Sequence, residues 1–391
     1  MARFPHKFVD RIARPSYTPA MVRKSLLALR PQWSGSSVGS ECSLHQIAPY
    51  IGKLKTSIAH ALVAEYSSPG MTVLEPFSGS GVVALEALLQ NRHVIANDVS
   101  PYAAVLTRAK LFAPSSEGVP IGRAFEYSAH AKQIARNGSW KVDAPTWVRQ
   151  FFHRRTLAEA LILAQLLRKH REWFLLACLL GILHHQRPGF LSYPSSHLVP
   201  YLRRRKFPKS AYPELYQYRD LEPRLIAKVR RAYRRVRFTG PRPRRRFESS
   251  DICDLRIDER VDLVLTSPPY MNALDYGRDN RLRLWFLGVS DYRDLDHRNC
   301  RTPADFAALI GSLVDVVDRC LSQSGKAALV VGEVRRNGQN LETAAIVEHA
   351  FTSEGKFRLV DSLEDPVPDI RRVRRSSAAA RHERIMVFSR K

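Results

Sequence analysis

Two short stretches hold residue types whose spacing could do chemistry. The first is TSPPY, Thr266 to Tyr270, directly after the hydrophobic run VDLVL. Proline has no amide donor and cannot continue a central strand. The chain must therefore leave the sheet here, at the carboxyl edge where doubly wound folds bind ligands. Pro268 and Pro269 fix the backbone and expose carbonyl oxygens that no ladder uses. Ser267 adds a hydroxyl and Tyr270 a flat apolar ring. Such a loop could accept hydrogen bonds from a planar amino group while the ring stacks on the base that carries it. In isolation, the same residues make a strand-ending turn with a packed tyrosine.

The second stretch is EPFSGSG, Glu75 to Gly81. It lies between a short apolar strand pattern, MTVLEP, and a helical pattern, VVALEALLQN. Glycines there let the backbone approach a ligand closely, and a helix N-terminus favours an anionic group. Asp98 ends the next strand, 17 residues after Gly81. An acid at that place accepts hydrogen bonds from ribose hydroxyls in doubly wound folds. Taken singly, FSGSG is also a plain tight turn and Asp98 also a helix cap. In register, they point to a nucleoside-containing cofactor. GxGxxG and GxxxxGK[ST] are both absent, against a dinucleotide fold and a P-loop nucleotidase.

The elements that must position these residues alternate. MTVLEP, HVIAND, RRFESSDI, VDLVL, KAALVVGEV, FRLVDSL and ERIMVFSR read as seven strands. A loop followed by a helix falls at about residues 44–66, and further helical patterns at about 82–91, 101–112, 303–321 and 341–355. The expectation is an α/β doubly wound, mostly parallel sheet. Between residues 113 and 243 the alternation stops, and the segment reads as a helical insertion. Its apolar runs LAEALILAQLL and WFLLACLLGIL are split by RKHRE and too short to span a bilayer. They read as buried helices. Residues 1–43 read as a basic arm without the apolar core of a secretory signal.

The chain of 391 residues carries 62 Lys and Arg against 37 Asp and Glu, a formal net charge of +25. An excess this large points to a polyanionic partner. Residues 201–248 hold 17 Lys or Arg and 4 acids, with tyrosines interleaved. Clustered arginines suit phosphates and guanine edges. The five cysteines are odd in number and show no CxxC spacing, as expected of a reducing compartment without a disulfide framework or structural zinc. His184, His185 and His197 show no metal-ligand spacing and read as core or surface residues. Asn272, Asp275 and Tyr276 either shape a base pocket or cap and pack the next helix, while Trp285 and Phe286 read as core.

EPFSGSG resembles the DPFxGxG motif of S-adenosylmethionine-dependent DNA amino-methyltransferases, and TSPPY resembles their [DNS]PP[YFW] motif. HQIAPYIGKLKTSIAHALVAEYSSPG, SSDICDL and RHERIMVFSRK resemble further segments of that family. The resemblance covers residues 44–112 and 244–390. It implies a Rossmann-like methyltransferase sheet of seven strands with one antiparallel, and S-adenosylmethionine as cofactor. Phe77, Gly79 and Gly81 would line the cofactor, Asp98 would hold its ribose, Asp251 its adenine amine and Lys53 its carboxylate. Glu75 stands where Asp is commoner. Ser267, Pro268, Pro269 and Tyr270 would form the catalytic loop around a base flipped from double-stranded DNA. The serine form is typical of cytosine-N4 enzymes. Adenine-N6 transfer is the alternative, and an RNA methyltransferase or a silent DNA-binding relative are further ones. The resemblance also implies a cytoplasmic, nucleoid-associated protein, with a restriction endonuclease as an optional partner. The family's target-recognition region follows the SSDICDL-type segment, whereas the insertion here precedes it. A target-recognition role for residues 113–243 rests on size and charge.

Overall fold

A computed structural model of the chain describes residues 41–137, 143–185, 189–196, 199–236, 238, 242–271, 275–296, 300–332, 334–336, 339–341, 343–366 and 382–391. Nearly all of the expected basic arm, together with His197 and Asn272, lies outside them.

The first half of the sheet layer runs α1 (Thr56–Tyr66), β1 (Thr72–Glu75), α2 (Val82–Leu89), β2 (His93–Asn97) and α3 (Pro101–Leu111). The insertion follows as α4 (Gly118–Arg136), α5 (Thr146–Arg149), α6 (Arg154–Lys169), α7 (Trp173–Ile182) and α8 (Leu221–Tyr233). The chain returns through β3 (Arg245–Glu248), β4 (Val261–Thr266), α9 (Tyr276–Phe286), α10 (Arg293–Asp296) and α11 (Pro303–Cys320). It closes with β5 (Leu321–Gly332), the hairpin β6 (Val334–Arg336) and β7 (Gln339–Leu341), α12 (Thr343–Thr352), β8 (Phe357–Pro366) and β9 (His382–Arg390).

Seven strands form one sheet in the order β3-β2-β1-β4-β5-β9-β8. Neighbours from β3 to β5 are parallel, and β9 runs antiparallel to both β5 and β8. This is a doubly wound sheet of seven strands with one antiparallel, the arrangement that the resemblance implies. The chain winds outward from β1 to β3 and then returns to β4 beside β1. The switch point between β1 and β4 opens the crevice where such sheets take ligands.

The two-residue period of the strands divides the core. Val73, Leu263, Leu265, Ala328 and Val330 face α1 and α2. Leu74, Val264, Ala327, Leu329 and Val331 face α11 and α12. A third apolar cluster joins the insertion to α3 and α9 through Tyr102, Val105, Leu106, Leu282 and Phe286. Helix α7 is apolar on every side, as a fully enclosed helix should be, and Leu175 to Ile182 are all at most 1% exposed. The described residues between 189 and 216 hold an isolated Ser195–Leu202 bridge and a short 3-10 turn, Pro213–Tyr216, but no α-helix, so the insertion is not helical throughout. No helix among the described residues is long and apolar enough to cross a membrane.

Candidate active site

The glycine turn and the proline loop leave adjacent strands at the carboxyl edge and touch. The Phe77 amide donates to Thr266 Oγ1 at 3.3 Å. Gly79 and Gly81 have φ of +49° and +68°, the left-handed region open to glycine. A Cβ on Gly79 would lie 3.3 Å from the Tyr50 ring, and one on Gly81 would lie 2.7 Å from Thr107 Oγ1. Gly81 thus has no room for a side chain, and Gly79 sits in tight contact with Tyr50.

Both acids of this region brace the turn. Asp98 Oδ2 accepts from the Gly79 amide at 2.7 Å, and Oδ1 accepts from the Ser100 amide at 2.8 Å. Burial pushes the Asp98 carboxyl up to about 6, against those two bonds. The Glu75 oxygens accept from the Val83 and Ala84 amides at 3.2 and 2.8 Å, at the N-terminus of α2. Burial pushes Glu75 up to about 8, because two amides and the nearby Lys110 only partly offset desolvation. Lys110 is 1% exposed and donates to the Ser80 carbonyl. Burial first, then the charge of Lys53, pulls it down to about 7.

Asp251 lies one strand further out, in the loop after β3. Its Oδ1 accepts from the Cys253 amide at 3.4 Å. Asn97 ties that loop to the glycine turn. Its Nδ2 donates to the Pro76 and Ser250 carbonyls at 3.1 Å each, and its Oδ1 accepts from the Ser250 amide at 2.9 Å. Lys53 is exposed, and its Nζ donates to the His45 carbonyl at 3.4 Å, in the loop before α1.

In the proline loop Pro268 is buried, while Ser267, Pro269 and Tyr270 are half-buried. The Tyr270 ring lies on Gly332, and its hydroxyl donates to Glu383 Oε1 at 2.8 Å. The Ser267 hydroxyl hydrogen-bonds Tyr270 as well. Burial, with the Glu383 charge behind it, raises the Tyr270 phenol well above its ordinary value.

An aromatic wall completes the crevice. Tyr50 stacks on Tyr102 at 5.9 Å and meets Tyr276 at 6.5 Å. The Tyr102 hydroxyl donates to the Pro49 carbonyl at 2.6 Å. Behind it, the fully buried Arg283 lies 5.5 Å from the Tyr102 centroid and donates to the Leu180 carbonyl at 3.2 Å. This arginine links α9 to the insertion. Asp275 stands at the N-cap of α9 and pairs with Arg278. Phe286 is buried as expected, and Trp285 is partly so.

The structure thus gathers Glu75, Phe77, Gly79, Gly81, Asp98 and Ser267 to Tyr270 at one edge, with Asp251 on the neighbouring loop. Sequence reasoning missed Asn97, Lys110, Tyr50, Tyr102, Arg283 and Glu383. Tyr50 and Tyr102 each follow a proline next to the motifs, a weak signal. A lysine on a helix and an arginine in RLRLW read as exposed, so no local signal marks Lys110 or Arg283.

The basic segment divides in two. Arg219 is buried and donates to the Phe190, Ser192 and Leu215 carbonyls. Arg235 donates to the Glu41 carbonyl, Lys228 to that of Gln46, and Arg242 to that of Ala113. These cations hold the fold together. Arg204, Arg205, Lys206, Lys209, Arg230, Arg231, Arg234, Arg244 and Arg246 are exposed. Tyr201 and Tyr212 are 47% and 39% exposed beside the first four. Arg281 of α9 anchors this loop, donating to the Pro200 carbonyl at 3.1 Å. No group of three or more His, Cys, Asp or Glu among the described residues could hold a metal ion.

No curated protein sequence matches the chain. Solved structures with a similar arrangement include a TehB-like SAM-dependent methyltransferase from Corynebacterium glutamicum, at 10% identity and a TM-score of 0.30 over 85% of this chain and 87% of that one. Another is a ribosomal protein L11 methylase from Lactobacillus delbrueckii subsp. bulgaricus, at 9% identity and a TM-score of 0.33 over 86% and 78%. A third is the glycopeptide N-methyltransferase MtfA in complex with S-adenosyl-L-methionine, at 11% identity and a TM-score of 0.32 over 87% and 96%. At these scores the fold rests on its own strand order. Residues 50–120 match the model of the D12 class N6 adenine-specific DNA methyltransferase family. The matched stretch runs from the aromatic wall through the glycine turn and α3 into α4, and it includes Gly79, Gly81 and Asp98.

Proposed function

We propose that the protein is an S-adenosylmethionine-dependent DNA methyltransferase acting on the exocyclic amine of a base. The observation that carries this reading is the junction of the glycine turn with the proline loop, through Phe77 and Thr266, at the switch point of the sheet. It would bring a methyl donor and an acceptor amine together.

The residues present fit the cofactor. Gly79 and Gly81 hold the left-handed turn against Tyr50 and Thr107, and the turn's backbone carries no side chain of its own there. Asp98 offers oxygens to a ribose, and Asp251 sits one strand out toward an adenine amine. Glu75 is 4% exposed and serves through the loop it shapes, its oxygens held by α2 amides, whereas the half-buried Asp98 keeps a second lone pair on each oxygen. Bound there, S-adenosylmethionine supplies an electrophilic methyl group on a sulfonium and leaves as a neutral thioether.

The amine of adenine or cytosine is a poor nucleophile because its lone pair is delocalised into the ring. Hydrogen bonds to Ser267 Oγ and the Pro268 carbonyl would draw the nitrogen toward tetrahedral geometry and free that pair. Positioning and fixed dipoles do the work. The target must leave the duplex, and the Tyr270 ring is the stacking surface for it. The exposed cations of residues 204–209 and 230–246 supply phosphate contacts.

The family match favours adenine N6 over the cytosine N4 expected from Ser267. Cytosine remains the second reading because serine, not Asp or Asn, heads the loop. The experiment is mass spectrometry of nucleosides from unmodified duplex DNA incubated with the protein and S-adenosylmethionine. N6-methyldeoxyadenosine is the expected product. N4-methyldeoxycytidine would keep the mechanism and change the base. No modified nucleoside on DNA of varied sequence would overturn the reading.

A further inference from the structure

The proline loop carries no carboxylate of its own, yet its tyrosine reaches one from the far side of the sheet. Glu383, the second residue of β9, lies directly opposite Gly332, the last residue of β5. Gly332 leaves room for the Tyr270 ring, since a Cβ there would lie 2.5 Å from it. The ring lies on the glycine, and its hydroxyl is 2.8 Å from the acid on the paired strand. The loop serine joins the same chain through its hydrogen bond to Tyr270.

We propose that Ser267, Tyr270 and Glu383 form a proton relay that drains the acceptor amine during methyl transfer. This rests on the methyltransferase reading above. Forming the N–CH3 bond leaves the amine nitrogen cationic, with one proton too many. That proton passes to Ser267 Oγ. The serine hydroxyl proton passes to Tyr270 Oη, and the tyrosine proton passes to Glu383. No electrons change hands, the serine and tyrosine end as they began, and the proton resides on a half-buried carboxylate that can return it to water. The Tyr270 hydroxyl already donates to Glu383. The raised Tyr270 phenol fits a proton shuttle that stays neutral between turnovers.

Positioning and proton transfer separate in Glu383→Gln. The amide oxygen still accepts from Tyr270, but it cannot take a proton. Tyr270→Phe keeps the ring on Gly332 and removes the middle oxygen. Turnover would be measured on unmodified genomic DNA, and S-adenosylmethionine affinity by calorimetry. Each single variant is expected to lose roughly 100-fold or more in kcat, the scale of general acid–base catalysis. Affinity for S-adenosylmethionine should stay within about twofold, and the double variant should be no slower than the slower single one. A Glu383→Gln enzyme with unchanged kcat reduces Glu383 to a prop and overturns the relay. So does an unchanged Tyr270→Phe enzyme. A third readout needs no substrate: ultraviolet difference titration of the wild type against Tyr270→Phe. Tyr270 should ionise above the ordinary tyrosine range, and lower in Glu383→Gln. Ordinary ionisation in the wild type would overturn the relay whether or not the protein methylates DNA. A wild type that binds S-adenosylmethionine yet methylates no nucleoside would instead sink the functional reading on which the relay rests.

Discussion

At the scale of single residues, conformation and ionisation both bear on the cofactor cradle. Gly81 combines a left-handed φ of +68° with a Thr107 contact that leaves no room for a methyl group. Gly81→Ala should destabilise the protein by about 1–3 kcal/mol, from backbone strain plus overpacking. Urea denaturation would measure this, and S-adenosylmethionine affinity should fall with it. Asp98 gives a pH test with a defined sign. Its ionised form accepts from Gly79 and would accept from a ribose, and burial places its titration near 6. Affinity for S-adenosylmethionine should therefore weaken as pH falls through about 6. Asp98→Asn should bind weakly and lack that inflection. Calorimetry between pH 5 and 8 is the measurement, and an unchanged inflection in Asp98→Asn would assign it elsewhere.

At the scale of elements, the crevice depends on loops that three strand ends share. Asn97 is 1% exposed and saturates backbone groups of the β1 and β3 loops at once. Asn97→Ala strands a buried carbonyl of Pro76 and loosens Ser250, next to Asp251. The expected cost is on the order of 2–3 kcal/mol, as for buried groups left unpaired. Hydrogen exchange should show faster opening of residues 76–81 and 249–254 than of β4 and β5. Equal protection everywhere would show that Asn97 clamps nothing locally. At the same scale, α9, α3 and the insertion pack as one unit. Their apolar residues form one cluster, and Arg283 crosses it from α9 to the Leu180 carbonyl of α7.

At the scale of the whole molecule, the net charge of +25 is a surface property only in part. Cations such as Arg219 and Arg235 are committed to backbone carbonyls, so they neither steer nor bind. The exposed Arg204, Arg205 and Lys206 share a loop with Tyr201 and Tyr212, next to the anchor Arg281. DNA affinity should fall steeply with salt, because each phosphate contact releases a counterion. Replacing Arg204, Arg205 and Lys206 by Ala should reduce the slope of log affinity against log salt by roughly two to three. Arg219→Met should leave the slope alone and lower stability instead. Fluorescence anisotropy over a salt series separates the two, and an unchanged slope in the triple variant would place the DNA on another face.

The sequence by itself determined the alternation of strands and helices, because periodicity and proline stops act over a few residues. Seven strand patterns became the seven strands of one sheet. It also determined that Gly79, Gly81, Asp98 and the Ser267–Tyr270 loop share an edge, since each follows a strand and parallel strands present their carboxyl ends together. Only the tertiary structure decided which charges are spent inside. Glu75 turned out to face helix amides, Lys110 to be enclosed, and Arg219, Lys228, Arg235 and Arg242 to serve as internal staples. Only it decided that Glu383 meets Tyr270 across 113 residues of chain. That meeting depends on the pairing of Gly332 with Glu383. Because side chains alternate along a strand, a shift of one residue would turn the acid to the opposite face. Register is set by the whole sheet, so no local pattern around either residue announces it.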